Sequence, residues 1–158
     1  MTDLKSLFEG LGFRNVRTYI QSGNVIFESN EEKNLNYIVQ QKISENYNFQ
    51  VPVVIRSVHE MESVLNNNPF LRETDIDESK LHVTFLEVPP LKEHIKRTEA
   101  FNYEPDRFII SGKEVYLYCP NGYGRTKLNN TFFENKLKVT ATTRNWNTVK
   151  KLSEMAEK

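Results

Sequence analysis

The chain has 158 residues, 38% hydrophobic and 27% charged, and its 21 basic and 21 acidic side chains give a formal net charge of zero. That balance excludes an intrinsically disordered chain, and no apolar run approaches the ~20 residues that a membrane-crossing helix needs. The length suits one domain with a real core, or two small subdomains packed together.

Met1 to Leu11 contains Asp3 and Glu9 and has neither the basic start nor the apolar centre of a secretory signal, so a cytoplasmic location is expected. Leu4, Leu7, Phe8 and Leu11 recur at helical spacing and stop at Gly12, which predicts a helix opening the chain. Val16, Thr18 and Ile20 alternate with Arg17 and Tyr19. The turn residues Ser22, Gly23 and Asn24 then lead into Val25-Ile26-Phe27, and together these predict a hairpin. Ser29 and Glu32 have capping-box spacing ahead of a helical stripe of Leu35, Ile38, Val39 and Ile43. Val51-Pro52-Val53-Val54-Ile55 reads as a strand, with Pro52 placing it at a strand start or a sheet edge.

A second capping box, Ser57 with Glu60, predicts a helix carrying Met61, Val64 and Leu65 and ending at Asn66-Asn67-Asn68-Pro69. An acidic loop, Glu73 to Ser79, precedes a strand on Leu81, Val83 and Phe85, and Leu91 to Thr98 forms a short helix beyond Pro89-Pro90. Phe108-Ile109-Ile110 and Val115 to Tyr118, joined through Ser111-Gly112, predict a second hairpin. Asn129 to Leu137 is then a helix. The last helix runs from about Arg144, with Trp146, Val149, Leu152 and Ala156 on its core face.

These elements make an α+β protein of two small α+β subdomains packed as one unit, residues 1–56 and 57–158. Helix, strand, strand, helix, strand over the first 56 residues is the order of a ferredoxin-like split βαβ plait with its first strand missing. A strand lost from between two others leaves backbone groups unpaired. The expectation is a truncated N-terminus, an internal start codon, or an edge completed by another chain.

Charge is unevenly spread. Residues 121–158 hold eight basic and three acidic side chains, whereas 59–106 hold five basic and eleven acidic. A basic C-terminal third suits phosphate, nucleic acid or an acidic partner, and it equally suits a solvated face. Two polar, glycine-bearing and basic segments read as the mouths of helices, where proteins often hold anions. In the first, Asn121, Gly122 and Gly124 permit close backbone approach while Arg125 and Lys127 supply charge. The spacing is not that of a P-loop, and a plain strand-to-helix turn explains the glycines as well. In the second, Thr142 or Thr143 caps the last helix, leaving Arg144 and Asn145 to face a ligand. Gln21 and Asn24 of the first hairpin complete the candidate set, on condition that the three loops converge.

Chemistry has less support. His59, His82 and His94 lack metal-ligand spacing, so neither a metal nor a cofactor is expected. The single Cys119 has no partner for an internal disulfide and reads as a buried structural thiol rather than a nucleophile.

Three segments in order carry a resemblance to a known family: Leu11-Gly12-Phe13 through Val16-Arg17-Thr18-Tyr19-Ile20-Gln21-Ser22-Gly23-Asn24-Val25, Pro120-Asn121-Gly122-Tyr123-Gly124-Arg125-Thr126-Lys127-Leu128, and Ala141-Thr142-Thr143-Arg144-Asn145-Trp146-Asn147-Thr148. The chain resembles, over nearly its whole length, the bacterial family catalogued as domain of unknown function 1697. The resemblance implies two α+β subdomains, one of them ferredoxin-like, and leaves the biochemical role open. Members of that family usually begin with a further strand and a glycine-containing loop of the form alanine-leucine-leucine-arginine-glycine-isoleucine-asparagine, ahead of the helix that here starts at Thr2. The leading expectation is binding of a phosphorylated ligand or a nucleic-acid backbone through Arg125, Lys127 and Arg144. The alternatives are a protein-protein interaction module that uses an exposed sheet edge, including as a homodimer, and an enzyme acting on a small phosphorylated substrate.

Overall fold

A computed structural model of the chain describes residues 2–19, 23–30, 33–48 and 50–157. The helix α1 (Thr2–Gly10) ends where Gly12 takes φ 90°, a conformation that costs glycine nothing. Strands β1 (Arg14–Tyr19) and β2 (Asn24–Glu28) pair antiparallel, with Arg17 opposite Ile26, Thr18 opposite Val25 and Tyr19 opposite Asn24. The register shifts between Arg14 and Arg17, where Asn15 adopts φ 52° and bulges the strand. Asn24 therefore opens β2 rather than belonging to the turn, and Ile20, Gln21 and Ser22 lie outside the described residues.

Helix α2 (Leu35–Tyr47) buries Val39 and Ile43 as its periodicity predicts. Its start differs from expectation: Asn34, left-handed at φ 59°, precedes the first turn without a side-chain cap. Of the expected capping-box pair, Ser29 precedes this N-cap by five positions and Glu32 lies outside the described residues. Residues 51–55 are a second correction, since they belong to neither sheet. A strand exists only through its ladder, and among the described residues this segment has no ladder partner.

Helix α3 (Val58–Asn66) has the predicted capping box: Glu60 N–H donates to Ser57 Oγ at 3.1 Å and Ser57 N–H donates to Glu60 Oε1 at 2.8 Å. Strands β3 (Leu81–Leu86), β4 (Arg107–Ser111), β5 (Glu114–Tyr118) and β6 (Ala141–Asn145) form an antiparallel sheet in the order β4-β5-β3-β6. Side-chain alternation gives this sheet two apolar faces. Leu81, Val83, Phe85 and Tyr116 pack with Phe70, with Met61 and Val64 of α3, and with Trp146 and Val149 of α6 (Trp146–Ala156). Leu86, Val115 and Leu117 pack with Leu128 and with Phe133 and Leu137 of α5 (Asn130–Leu137), and α4 (Lys92–Glu99) packs against α5. A third cluster joins Leu7, Phe8, Phe13, Val16, Val39 and Ile43 around the first hairpin. The protein is thus α+β, with two antiparallel sheets among the described residues.

Strand β6 is the third correction, because Ala141 to Asn145 reads in the sequence as a helix mouth. The threonines there are β-branched and suit a pleated edge, and the Thr143 hydroxyl meets that of Thr84 across the ladder at 2.8 Å. The helix starts one residue later, at Trp146.

Arg56 joins the first 55 residues to the second sheet. Its Nε donates to Glu114 Oε2 at 3.0 Å, Nη1 donates to the carbonyl of Ile55 at 3.1 Å, and Nη2 donates to those of Leu86 at 2.6 Å and Lys113 at 3.0 Å. The Arg56 side chain is 6% exposed and that of Glu114 18%, so removing the cation takes this donor from the Glu114 carboxylate and from the Ile55 and Leu86 carbonyls, while the Lys113 carbonyl keeps the Leu86 N–H. Arg56→Ala is expected to lower unfolding free energy by about 3–5 kcal/mol in urea titration, with Arg56→Lys recovering only part of it. A loss below about 1 kcal/mol would show the cluster to be dispensable.

Candidate functional site

Two of the candidate residues meet although 120 positions separate them. The Nε of Arg144, on β6, donates to Asn24 Oδ1 at 2.7 Å, and its Nη1 donates to Thr142 Oγ1 at 2.7 Å and to the Thr143 carbonyl at 2.9 Å. Asn24 is 6% exposed, and its Nδ2 donates to the Tyr19 carbonyl at 3.2 Å. Burial pulls the Arg144 pKa below its ordinary value. This arginine ties the first hairpin to the edge of the second sheet, and Gln21, its expected companion, lies outside the described residues.

The segment 119–128 is a different place. Tyr123 stacks on His82 with ring centroids 4.7 Å apart. His82 sits opposite Asn145 in the β3–β6 ladder, whereas Val83 sits opposite Arg144. Paired residues share a face and successive ones alternate, so Arg144 shares the α3/α6 side with Val83 while the Tyr123 turn covers the α5 side. The sheet separates Arg144 from the turn that carries Arg125 and Lys127, and the three loops do not form one pocket.

Within the turn, Gly122 takes φ 95°, which requires glycine, and most nearby N–H groups already have partners. Gly122 N–H donates to the Cys119 carbonyl, Arg125 N–H to that of Gly122 and Thr126 N–H to that of Tyr123. Leu128 N–H donates to Thr126 Oγ1, Asn130 N–H to the Tyr123 hydroxyl, and Phe132 N–H to Asn129 Oδ1. The Thr126 hydroxyl donates to Asp106, a carboxylate that would repel an anion. Asn121, Gly124, Arg125 and Lys127 are exposed. Asn145 caps α6, its Oδ1 accepting from Thr148 N–H at 2.8 Å, the role expected of Thr142 or Thr143. Instead the Thr142 hydroxyl accepts from Arg144, and on the other face the Thr143 hydroxyl donates to Asn130 Oδ1 at 2.9 Å.

Cys119 is fully buried, and burial, opposed by the Thr126 hydrogen bond and aided by the Asp106 charge, pushes its thiol from 9.0 up to about 11. That holds it as a neutral thiol, the reverse of an activated nucleophile. Burial also lowers the His82 pKa, leaving a neutral ring whose Nδ1 has no hydrogen-bond partner among the described residues. No group of three or more His, Cys, Asp or Glu among those residues is placed to hold a metal ion.

The more distinctive arrangement lies in the backbone of the first 56 residues, where side-chain motifs give no signal. The β1 edge of the hairpin is bulged and carries Arg14 and Arg17, devices that discourage pairing, while β2 is regular. Val25 and Phe27 of β2 pack into the α1/α2 cluster. Ile26, opposite Arg17, lies on the side of α6, whose Met155 carbonyl accepts from Arg17 Nη1 at 2.6 Å. Residues 51–55 alternate in the same way: Val51, Val53 and Ile55 pack into that cluster and Val54 into the α3/α6 cluster. Of their backbone groups, the Val53 carbonyl accepts from Gln40 Nε2 at 3.4 Å and that of Ile55 from Arg56. Apolar and packed alternately into two clusters, the segment has a strand's packing without a strand's ladder.

The chain belongs to the family described as a protein of unknown function, DUF1697, whose model matches residues 1–116. A solved structure, that of a conserved bacterial protein from Streptococcus pneumoniae, has the same fold, with a TM-score of 0.77 and 21% identity over all of this chain and 89% of that one. No curated protein matches the chain. Among the described residues no helix is long and apolar enough to cross a membrane.

Burial, with the Glu114 charge, likewise raises the Tyr116 phenol from 10.0 to about 12. Both groups keep in the folded state protons that the unfolded chain releases near pH 9 and 10, so the stability they confer is intact below pH 9 and lost as pH rises toward 12. The urea midpoint should fall between pH 8 and pH 11, by on the order of 2 kcal/mol of unfolding free energy, and Tyr116→Phe should reduce that fall. Cys119 should resist iodoacetamide at pH 8 until the protein unfolds, and rapid alkylation of the native protein would contradict its burial.

Proposed function

We propose that the protein is a strand-accepting interaction module: the free edge of β2 and the extended run 51–55 receive a β-strand from a partner. The observation that carries this reading is the two-faced apolar packing of residues 51–55 and the packing of Val25 and Phe27 of β2 into the first cluster, together with backbone groups that have no ladder partner among the described residues. Main-chain hydrogen bonds from an added strand would satisfy those groups, the mode by which sheet edges bind peptides. With a strand in that place, residues 1–56 take the arrangement of a ferredoxin-like plait and residues 57–158 form a second α+β unit. Native-state hydrogen exchange tests the reading. In the free protein, outward-facing amides of Asn24–Glu28 and those of Val53–Ile55 should exchange far faster than amides of Leu81–Leu86. Protection equal to that of β3 would mean the edge is already covered and would overturn the proposal.

A second reading, binding of a phosphorylated ligand or nucleic-acid backbone, has one observation in its favour: Arg125 and Lys127 stand exposed side by side on a turn, with no ion-pair partner among the described residues. Arg144 does not contribute to it, because its guanidinium holds the hairpin from the other face. Binding of a short single-stranded RNA should then weaken steeply with salt and be lost in Arg125→Ala/Lys127→Ala. Salt-independent binding, or binding unchanged in that variant, would dismiss this turn as the site.

A further inference from the structure

We infer that the free edge of β4 pairs antiparallel with β4 of a second copy, about a two-fold axis at Ile109, and so joins two four-stranded sheets into one. This surface lies in the second sheet and is independent of the edge of β2. The order β4-β5-β3-β6 leaves two edges, and β6 has its Arg144 engaged with Asn24. β4 has no bulge, and its one charged side chain, Arg107, is already held by both oxygens of Glu73, at 2.8 and 2.7 Å. A two-residue turn, Gly112-Lys113 with Gly112 at φ 58°, closes the β4–β5 hairpin with Ser111 opposite Glu114. That closing pair exchanges both ladder hydrogen bonds and every second pair beyond it does the same, so Arg107, Ile109 and Ser111 bond to β5. The N–H and C=O of Phe108 and Ile110 therefore face the open edge, where no other backbone bond reaches them among the described residues.

The edge has the same polar and apolar pattern in both directions, as an isologous contact requires. With the axis at Ile109, Phe108 pairs with Ile110 of the copy and Arg107 with Ser111 of the copy. Phe108 and Ile110 carry the outward backbone groups, so the pairs that must exchange hydrogen bonds are able to do so. Their side chains continue the apolar α5 face, and Ile109, 38% exposed and opposite Tyr116, is covered by its own counterpart. Charge matches as well. Asp106 comes opposite Gly112 of the copy and beside its Lys113, at a cleft that Glu99 and Asp106 line together with Phe101, itself 62% exposed. Neither carboxylate has an ion-pair partner among the described residues, and the Lys113 side chain, bonded to Glu60 at 3.0 Å, is still 34% exposed. The neighbouring registers with the same backbone parity fail: an axis at Phe108 sets Asp106 against Ile110 on the apolar face, and an axis at Ile110 sets Arg107 against Lys113. An edge of five residues buries little area, so the dimer is weak and forms as concentration rises.

The test sediments the whole chain from micromolar to near-millimolar concentration and measures hydrogen exchange at both ends of that range. The expected result is a reversible dimer whose formation slows exchange at the Phe108 and Ile110 amides. Ile109→Lys sets two ammonium groups against each other at an exposed position, so it should weaken dimerisation roughly tenfold or more and leave the urea midpoint of the dilute protein unchanged. Ile109→Cys reads the register. The central pair is not hydrogen-bonded and its Cα atoms would lie ~4.5 Å apart, within disulfide reach, so oxidised glutathione should crosslink this variant. Ser111→Cys, likewise exposed, should not crosslink, because the two copies of that residue would lie about 14 Å apart. The native Cys119 is fully buried and stays out of the reaction. A monomer throughout the range would overturn the inference, as would a dimer that leaves those two amides unprotected or that Ile109→Lys does not weaken. Crosslinking of Ser111→Cys in preference to Ile109→Cys would overturn the axis at Ile109.

Discussion

Arg56 decides how the two sheets sit together. A single guanidinium reaches the Glu114 carboxylate, the carbonyl of its own neighbour Ile55, and the carbonyls of Leu86 and Lys113 at the β3 end and the β4–β5 turn. Its Cζ also lies over the Phe85 ring, 5.5 Å from the centroid. Such burial is tolerable only because nearly every donor finds a fixed acceptor, a fit that the planar fork of arginine provides and a lysine ammonium does not. The run that precedes it, 51–55, consequently leaves the first cluster at a fixed point and direction. Just beyond, Ser57 caps α3 and Lys113 reaches Glu60 at 3.0 Å, so linker, helix start and β4–β5 turn are fixed within a few residues of one another.

Around that anchor, polar contacts at the perimeter complete the junction. Arg144 holds Asn24, Arg17 reaches the Met155 carbonyl near the C-terminal end of α6, and Asn36 Nδ2 donates to Glu87 Oε1 at 3.1 Å. Arg17 placed against the negative end of a helix gains from the macrodipole as well as from the hydrogen bond. Each of these contacts crosses from the first 55 residues to the rest of the chain. Of the three cationic side chains expected from the sequence to hold a ligand, Arg144 instead joins parts of the fold, whereas Arg125 and Lys127 are exposed.

The parts of this arrangement legible in the sequence were those governed by local rules. The capping box at Ser57, the stripe of α2 and the alternation of β3 and β5 each report a single helix turn or a pleat, and each appears as the spacing implies. What local rules miss is pairing. Val51 to Ile55 has every local mark of a strand, but a ladder requires a neighbour that the run does not itself encode. β6 failed in the other direction: a threonine-rich edge strand has no apolar alternation, and its identity lies in the partner β3 and in the Thr84–Thr143 contact. Arg144 looks in the sequence like a residue at a helix mouth for the same reason, since its placement on the α3/α6 side follows from being opposite Val83, a fact of register.

Preorganisation is the property that makes the unpaired run more than a gap in a sheet. Extended backbone with no ladder normally fluctuates, and ordering a residue costs roughly 1–2 kcal/mol. Here the ordering is achieved by other means: three side chains grip one cluster, a fourth grips the other, Gln40 holds the Val53 carbonyl, and Arg56 fixes the end. On the proposed reading, an incoming strand would meet a neighbour already held by its side chains, so little of its binding free energy would go into shaping the receptor. The bulge and the arginines of β1 leave β2 as the regular edge of the hairpin, which restricts how a strand can add. On the proposed reading, a surface already ordered and open along one edge would select for backbone shape and hydrophobicity together, and that combination would separate strand recognition from nonspecific apolar contact.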